Sequence, residues 1–95
     1  MSVAYVSQSQ AKPGGADNLR EFFRAVVAPA VRGSHGCESF NLLQSDTDPS
    51  NFMAVESWAS VEAHRASVKN IPPESIVAFM QLVAASPHGS YYHVL

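Results

Sequence analysis

The chain has 95 residues, with six Lys and Arg against eight Asp and Glu, a net charge of −2 and an apolar share of 46%. That length suits one domain over residues 1–95, because a second would leave neither half enough chain for a core, and the apolar share is too high for a disordered chain. The balanced charge with no basic stripe argues against a nucleic-acid reader, no run reaches the roughly 20 apolar residues of a membrane span, and the start Met1-Ser2-Val3-Ala4-Tyr5 lacks a secretory layout, so a cytoplasmic protein without nucleic-acid or membrane partners is expected.

Val3 to Gln10 alternates weakly, with Val3, Tyr5 and Ser7 on one face and Ala4, Val6 and Gln8 on the other, as a strand does. Lys12-Pro13-Gly14-Gly15 stops it in a type II turn: Pro fixes φ at the second position and Gly supplies positive φ at the third. Asp17 is placed to cap a helix whose stripe is Leu19, Phe22, Phe23, Val26, Val27, Ala30 and Val31. Pro29 lies inside that stripe and removes a hydrogen bond to the Ala25 carbonyl, which predicts a kink. Arg20, Arg24 and Arg32 share this helix with Asp17 and Glu21. Gly33-Ser34-His35-Gly36 ends it.

Cys37 to Ser45 reads as a second strand, Asp46-Thr47-Asp48-Pro49-Ser50-Asn51 as a dense turn, and Phe52 to Trp58 as a third strand. The third strand carries Phe52, Ala54, Glu56 and Trp58 on one face and Met53, Val55 and Ser57 on the other. The turn joins the two strands as an antiparallel hairpin. Ser60 caps a helix running to about Lys69, with Glu62 in its first turn, and Asn70-Ile71-Pro72-Pro73 breaks it. A further helix starts near Pro73 with Ile76, Phe79, Met80 and Val83 on one face. Ser86-Pro87-His88-Gly89 ends that helix, and Ser90 to Leu95 closes the chain as a strand.

The order βαββααβ predicts an α+β, ferredoxin-like sandwich, with helices on one face of a four-stranded antiparallel sheet. A domain of this size buries only roughly 60–65% of its unfolded surface, and Cys37 is the only cysteine, so no internal disulfide staples the fold. A second copy packed against the open sheet face would supply the missing burial, which predicts a homodimer.

Three groups of residues resemble one known family, the antibiotic biosynthesis monooxygenases: Lys12-Pro13-Gly14 after the first strand, Gly36-Cys37 leading to Phe40 and Leu42, and the run Phe52, Glu56, Trp58, Ser60, Glu62 and Ala63. The similarity follows chain order over nearly the whole length. It implies a dimeric α/β barrel of two ferredoxin-like subunits. Characterised members include cofactor-independent oxygenases of aromatic polyketides or quinols and haem-degrading enzymes, and the superfamily also holds members with no demonstrated catalysis. Trp58 matches the pocket tryptophan of both enzymatic branches. The haem-degrading branch has an asparagine in the first strand, absent from Ala4 to Ser9 here, and a histidine nine residues past the tryptophan, where this chain has Ser67. His64 lies about one helical turn earlier. In the polyketide branch an asparagine stands four residues before the tryptophan, and that position is Ala54.

The candidate catalytic residues are therefore His64 and Glu56. Glu56 shares a face with Phe52 and Trp58, and an acid there needs a partner or a raised pKa. A purely structural role for Glu56 would be an ion pair with an arginine such as Arg24 or Arg65; for His64 it would be that of an ordinary surface or satisfied histidine. Trp58, Phe22 and Phe79 are candidate walls of a substrate pocket, or else plain core. His35, His88 and His93 lack ligand spacing, so neither a metal nor a cofactor is expected. Cys37 reads as a small core residue. The expected activity is a cofactor-independent monooxygenase acting on a small aromatic or quinol-type molecule, held between helices and sheet and deprotonated so that its anion reacts with dioxygen. The alternative is a non-catalytic dimeric small-ligand-binding or stress-associated protein of the same fold.

Overall fold

The structure, a computed structural model, describes residues 2–95. In chain order the elements are β1 (Val3–Gln10), α1 (Ala16–Phe22), a widened turn (Phe23–Val27), α2 (Ala28–Arg32), β2 (Cys37–Gln44), β3 (Asn51–Trp58), α3 (Val61–Lys69), α4 (Pro73–Leu82) and β4 (His88–His93). The strands form one antiparallel sheet in the order β2-β3-β1-β4, which is the ferredoxin-like arrangement.

The turn after β1 takes the expected geometry. Gly14 has φ 74°, and the Gly15 N–H closes the turn on the Lys12 carbonyl at 2.8 Å. Asp17 does not cap the helix. Gly15 occupies the cap position without a side-chain bond, and Asp17 lies a residue into the first turn, exposed and paired with Arg20 at 3.5 Å. Glu21 and Arg24 form a second such pair one turn on.

At Pro29 the helix widens and does not end. Having no N–H to give, the proline is accommodated by a widened turn in which the Ala28 N–H reaches back five residues to the Phe23 carbonyl, and the chain continues as α2. The additional residue rotates the apolar face. Leu19, Phe23 and Ala28 are buried, whereas Val26 and Ala30, which a regular helix would have turned inward, are exposed. These residues pack with Ala11, Phe40, Phe52, Ala54 and Val83 as the main core.

Two expectations near the C-terminus need correction. The helix stops at Leu82 rather than Ser86, because Val83 turns extended to pair with Ala11 and Ala84 N–H bonds to the Gln10 carbonyl at 2.7 Å. This capture also lets β4 begin at His88. Secondly, Ile76 and Met80 of the α4 stripe remain 46% and 40% exposed, so the stripe is not core; Phe79 alone among its helical members packs inward, against Phe23.

Both faces of β3 follow the alternation. Phe52, Ala54, Glu56 and Trp58 are buried under the helices. On the other side lie Met53 and Val55, with Val6 opposite Val55 in β1 and Leu43 opposite Met53 in β2. Among the described residues no helix covers that side, and Leu43 and Tyr92 there are 51% and 54% exposed. Among the described residues no helix is long and apolar enough to cross a membrane.

Candidate functional site

At the Trp58 end of the sheet, four elements converge on a small aromatic and titratable cluster. Strand β3 brings Glu56 and Trp58 to the helix side, two residues apart on one face. The Trp58 Nε1–H donates to Glu56 Oε1 at 2.9 Å, so the buried carboxyl is partnered by the indole and not by an arginine. Arg24 is engaged with Glu21, and Arg65 lies over the Tyr91 ring, 5.7 Å from its centroid. The cross-strand neighbours of Glu56 are Tyr5 in β1 and Phe40 in β2.

Helix α3 supplies His64 from above. Its start is fixed by Ser60, whose Oγ accepts from the Ala63 N–H at 3.1 Å, the capping arrangement that the sequence suggests. Just before β2, Gly36 fits against this helix: its φ is +85° and a side-chain carbon built there would stand 2.7 Å from the Ala63 Cβ. The position therefore needs glycine both for its backbone and for the space. His64, next to Ala63, is buried. Its ring stacks on Tyr5 with centroids 4.0 Å apart and meets Trp58 edge-on at 5.2 Å. Nδ1 lies 2.6 Å from the Tyr91 hydroxyl. Tyr91 stands opposite Tyr5 in the β1–β4 register, and Gly89, lower on the same strand, leaves the space that the Tyr5 phenol fills.

Burial sets the electrostatics. Loss of solvent pushes the Glu56 carboxyl above the usual carboxylate range, partly offset by the Trp58 hydrogen bond. It pulls His64 below the usual histidine value, with the nearby Arg65 charge adding to the fall, and it raises the Tyr5 phenol, helped by Tyr91 and Glu56. The cluster thus holds a neutral imidazole beside a carboxyl that takes up a proton more readily than usual. Among the described residues no fully buried side-chain polar atom lacks a partner. Glu56 Oε2 and His64 Nε2, which have no hydrogen-bond partner among the described residues, therefore each keep a little accessible surface.

His64, Glu56 and Trp58 are brought together; Phe22 and Phe79 are not with them. Those two rings face each other at 6.1 Å, and Phe79 meets Phe23, which meets Phe52. Phe52 lies near the start of the strand that Trp58 ends, about 20 Å away at the usual rise per residue. Trp58 itself is fully buried. A cleft of about 570 Å³ lies near the Phe52 end, with Gln8, Leu43, Met53 and His88 in its walls, and a smaller one of about 280 Å³ runs along Arg32 and the Cys37–Phe40 edge. Neither includes Trp58, Glu56 or His64. Cys37 is half-buried, its thiol turned to the Ser39 carbonyl at 3.6 Å.

Sequence reasoning missed Tyr5 and Tyr91. The alternation of β1 already put Tyr5 on the face of Val3 and Ser7, and pairing with β3 would have set it against Glu56. For Tyr91 the signal was ambiguous, since Tyr92 beside it points to the opposite face and only the register decides between them. No group of three His, Cys, Asp or Glu side chains among the described residues could hold a metal ion.

The fold recurs in solved structures. A protein from Chloroflexus aurantiacus J-10-fl is 26% identical, with a TM-score of 0.76 over 99% of this chain and 95% of its own. PA3566 from Pseudomonas aeruginosa is 24% identical, with a TM-score of 0.80 over 99% and 94%. A variant of SnoaB, a cofactor-independent oxygenase from Streptomyces nogalater, is 17% identical, with a TM-score of 0.82 over 98% and 92%; at that identity the likeness is one of fold. No curated protein sequence is similar enough to count as a match. The family model described as antibiotic biosynthesis monooxygenase matches residues 2–85, most of the chain and all of the cluster except Tyr91. The chain belongs to the antibiotic biosynthesis monooxygenase family.

Proposed function

We propose that this protein is a cofactor-independent monooxygenase of a small aromatic or quinol-type substrate, acting as a cytoplasmic homodimer, with Glu56 and His64 as its catalytic residues and Trp58 against the substrate. The observation that carries this reading is the cluster itself: a raised carboxyl and a neutral imidazole, each with one free polar atom, set among Trp58, Tyr5 and Tyr91. A phenol or hydroquinone that gives up its proton to such a group becomes an electron-rich anion able to react with dioxygen. The protein then needs mainly to bind, to exclude water and to move a proton. Family membership and the oxygenase name of a structural neighbour support the reaction class. The apolar sheet face that no helix covers supports the homodimer.

The test is dioxygen uptake with a panel of naphthols and hydroquinones, corrected for uncatalysed oxidation. Protein-dependent uptake is expected, lowered about 10²–10⁴-fold by Glu56→Gln or His64→Ala, the usual contribution of a positioned proton-transfer group. No uptake across the panel, or uptake indifferent to both substitutions, would contradict the proposal.

One observation favours a second reading, the non-catalytic ligand-binding or stress-associated protein. Trp58 has no exposed surface and neither cleft borders it, so a ligand reaches the indole only by displacing a side chain that covers it. Saturable binding of the panel without oxygen uptake would select this reading.

A further inference from the structure

We infer that Tyr91 holds His64 in the tautomer with its proton on Nε2, so that the cluster offers a ligand a fixed N–H donor matched to a phenolate or carbonyl oxygen. This rests on the reading of the cluster as a ligand site and adds which atom of the ligand it receives.

The Tyr91 Oη to His64 Nδ1 separation of 2.6 Å admits one proton between the two atoms. A phenol, with a pKa of about 10, is a far better donor than a neutral imidazole N–H, and an imidazole nitrogen is a better acceptor than a phenol oxygen. Accounting for the partners gives the same answer. Among the described residues the Tyr91 hydroxyl makes no other side-chain hydrogen bond, so if His64 donated, the phenol hydrogen would be left without a partner there in a half-buried site. With Tyr91 donating, the hydroxyl hydrogen and Nδ1 are both satisfied, and the ring's own proton is left on Nε2, the atom with no partner among the described residues. Stacking on Tyr5 at 4.0 Å and the edge contact with Trp58 hold the ring plane, so the donor is aimed rather than free to swing.

The surroundings favour an oxygen acceptor at that position. Arg65, beside Tyr91 and near enough to lower the His64 pKa, adds positive potential. Glu56 is the opposing charge, and burial makes its carboxylate take up a proton more readily than an exposed one. An acidic phenol entering the site can pass its proton to Glu56 and leave its anionic oxygen on His64 Nε2–H. The atoms balance with no other reagent: one O–H bond breaks, one carboxyl O–H forms, and the net charge of the site is unchanged. On this division Glu56 is the base, His64 the hydrogen-bond donor, and Tyr91 a positioning residue that acts through His64.

Long-range ¹⁵N–¹H correlation of the imidazole in the full chain, without ligand and at neutral pH, reads the tautomer directly. The Nε2–H pattern is expected for His64, relaxing to a mixture in Tyr91→Phe. Nδ1–H in the native chain, or a pattern that Tyr91→Phe leaves unchanged, overturns the inference. The second arm compares 4-nitrophenolate with nitrobenzene, which lacks the oxyanion. A charge-assisted hydrogen bond should favour the phenolate at least about tenfold, with the preference reduced in Tyr91→Phe. Equal affinity for the two overturns the assignment of an oxyanion ligand. Failure of both to bind would remove the ligand-site reading instead, while the tautomer measurement, which needs neither ligand nor turnover, still decides the role of Tyr91.

Discussion

Replacing Gly36 by Ala should disturb the cluster from outside it. Two costs act together. At φ +85° an L-residue sits in the left-handed region at about 1–2 kcal/mol. The new methyl would also stand 2.7 Å from the Ala63 Cβ, about 0.7 Å inside an ordinary 3.4 Å contact. Neither carbon can swing away, since both are fixed to backbone: Ala63 by the Ser60 cap at 3.1 Å, and Gly36 by the Ala59 N–H donating to its carbonyl at 2.8 Å. Helix α3 must move, and overpacking of this kind costs about 1–3 kcal/mol. The sum is about 2–5 kcal/mol, measurable as a loss of unfolding free energy in urea, and each kcal/mol should lower Tm by about 4–8 °C in a domain of this size. Ala63→Gly separates the two costs. On the native background it should destabilise by about 1 kcal/mol through helix propensity, whereas in Gly36→Ala it should cost nothing or restore stability, because it removes the clash but not the backbone strain. A cost of Ala63→Gly that is the same on both backgrounds would refute the packing argument, and a Gly36→Ala protein as stable as the native one would refute both.

Glu56→Gln should keep the Trp58 hydrogen bond through its amide oxygen and remove a proton equilibrium. Because the carboxyl is raised on folding, the native state holds its proton at pH values where the unfolded chain has lost it; native stability is fullest below the ordinary carboxylate range, falls as pH rises through the window up to the raised value, and then levels off. Each unit of that window amounts to about 1.4 kcal/mol, so the stability of Glu56→Gln relative to native should rise between acid and neutral pH, and parallel profiles would show that Glu56 is not perturbed. Sedimentation equilibrium should give twice the chain mass at micromolar concentration, and Val55→Lys, a charge in the middle of the uncovered face opposite Val6, should shift it to monomer; a native monomer would contradict the homodimer.

The layout was legible wherever local chemistry and periodicity agreed. Pro13-Gly14 marked its turn because Pro suits the second position and Gly the positive φ of the third, and the Phe52–Trp58 alternation placed all four inward side chains of β3. Ser60 was recognisable as a cap because nothing competes with it. The α1 stripe was legible in extent but not in phase: Pro29 forces a widened turn, and one additional residue rotates everything after it. The end of α4 was hidden since Val83 is drawn out of the helix by Ala11, a residue more than 70 positions away in the chain. In the site, Glu56 and Trp58 followed from one strand, and His64 from one helix. What could not be read was their mutual arrangement. Glu56 took the indole as its partner, two residues along its own strand, where an arginine was the alternative weighed. Tyr91 joined the cluster through the register of a terminal strand, and Phe22 and Phe79 fell at the far end of the sheet because helix pairing, not periodicity, decides which stretch of β3 they cover.

The claim that matters most is that the Trp58 cluster receives an aromatic ligand. Trp58 is the only tryptophan in the chain, so its fluorescence reports on this site alone. Titrating 4-nitrophenol should give saturable quenching that a competing hydroquinone reverses and that His64→Ala weakens. Quenching that rises linearly without saturation, indifferent to both the competitor and the substitution, would mean that Trp58 is only a core residue.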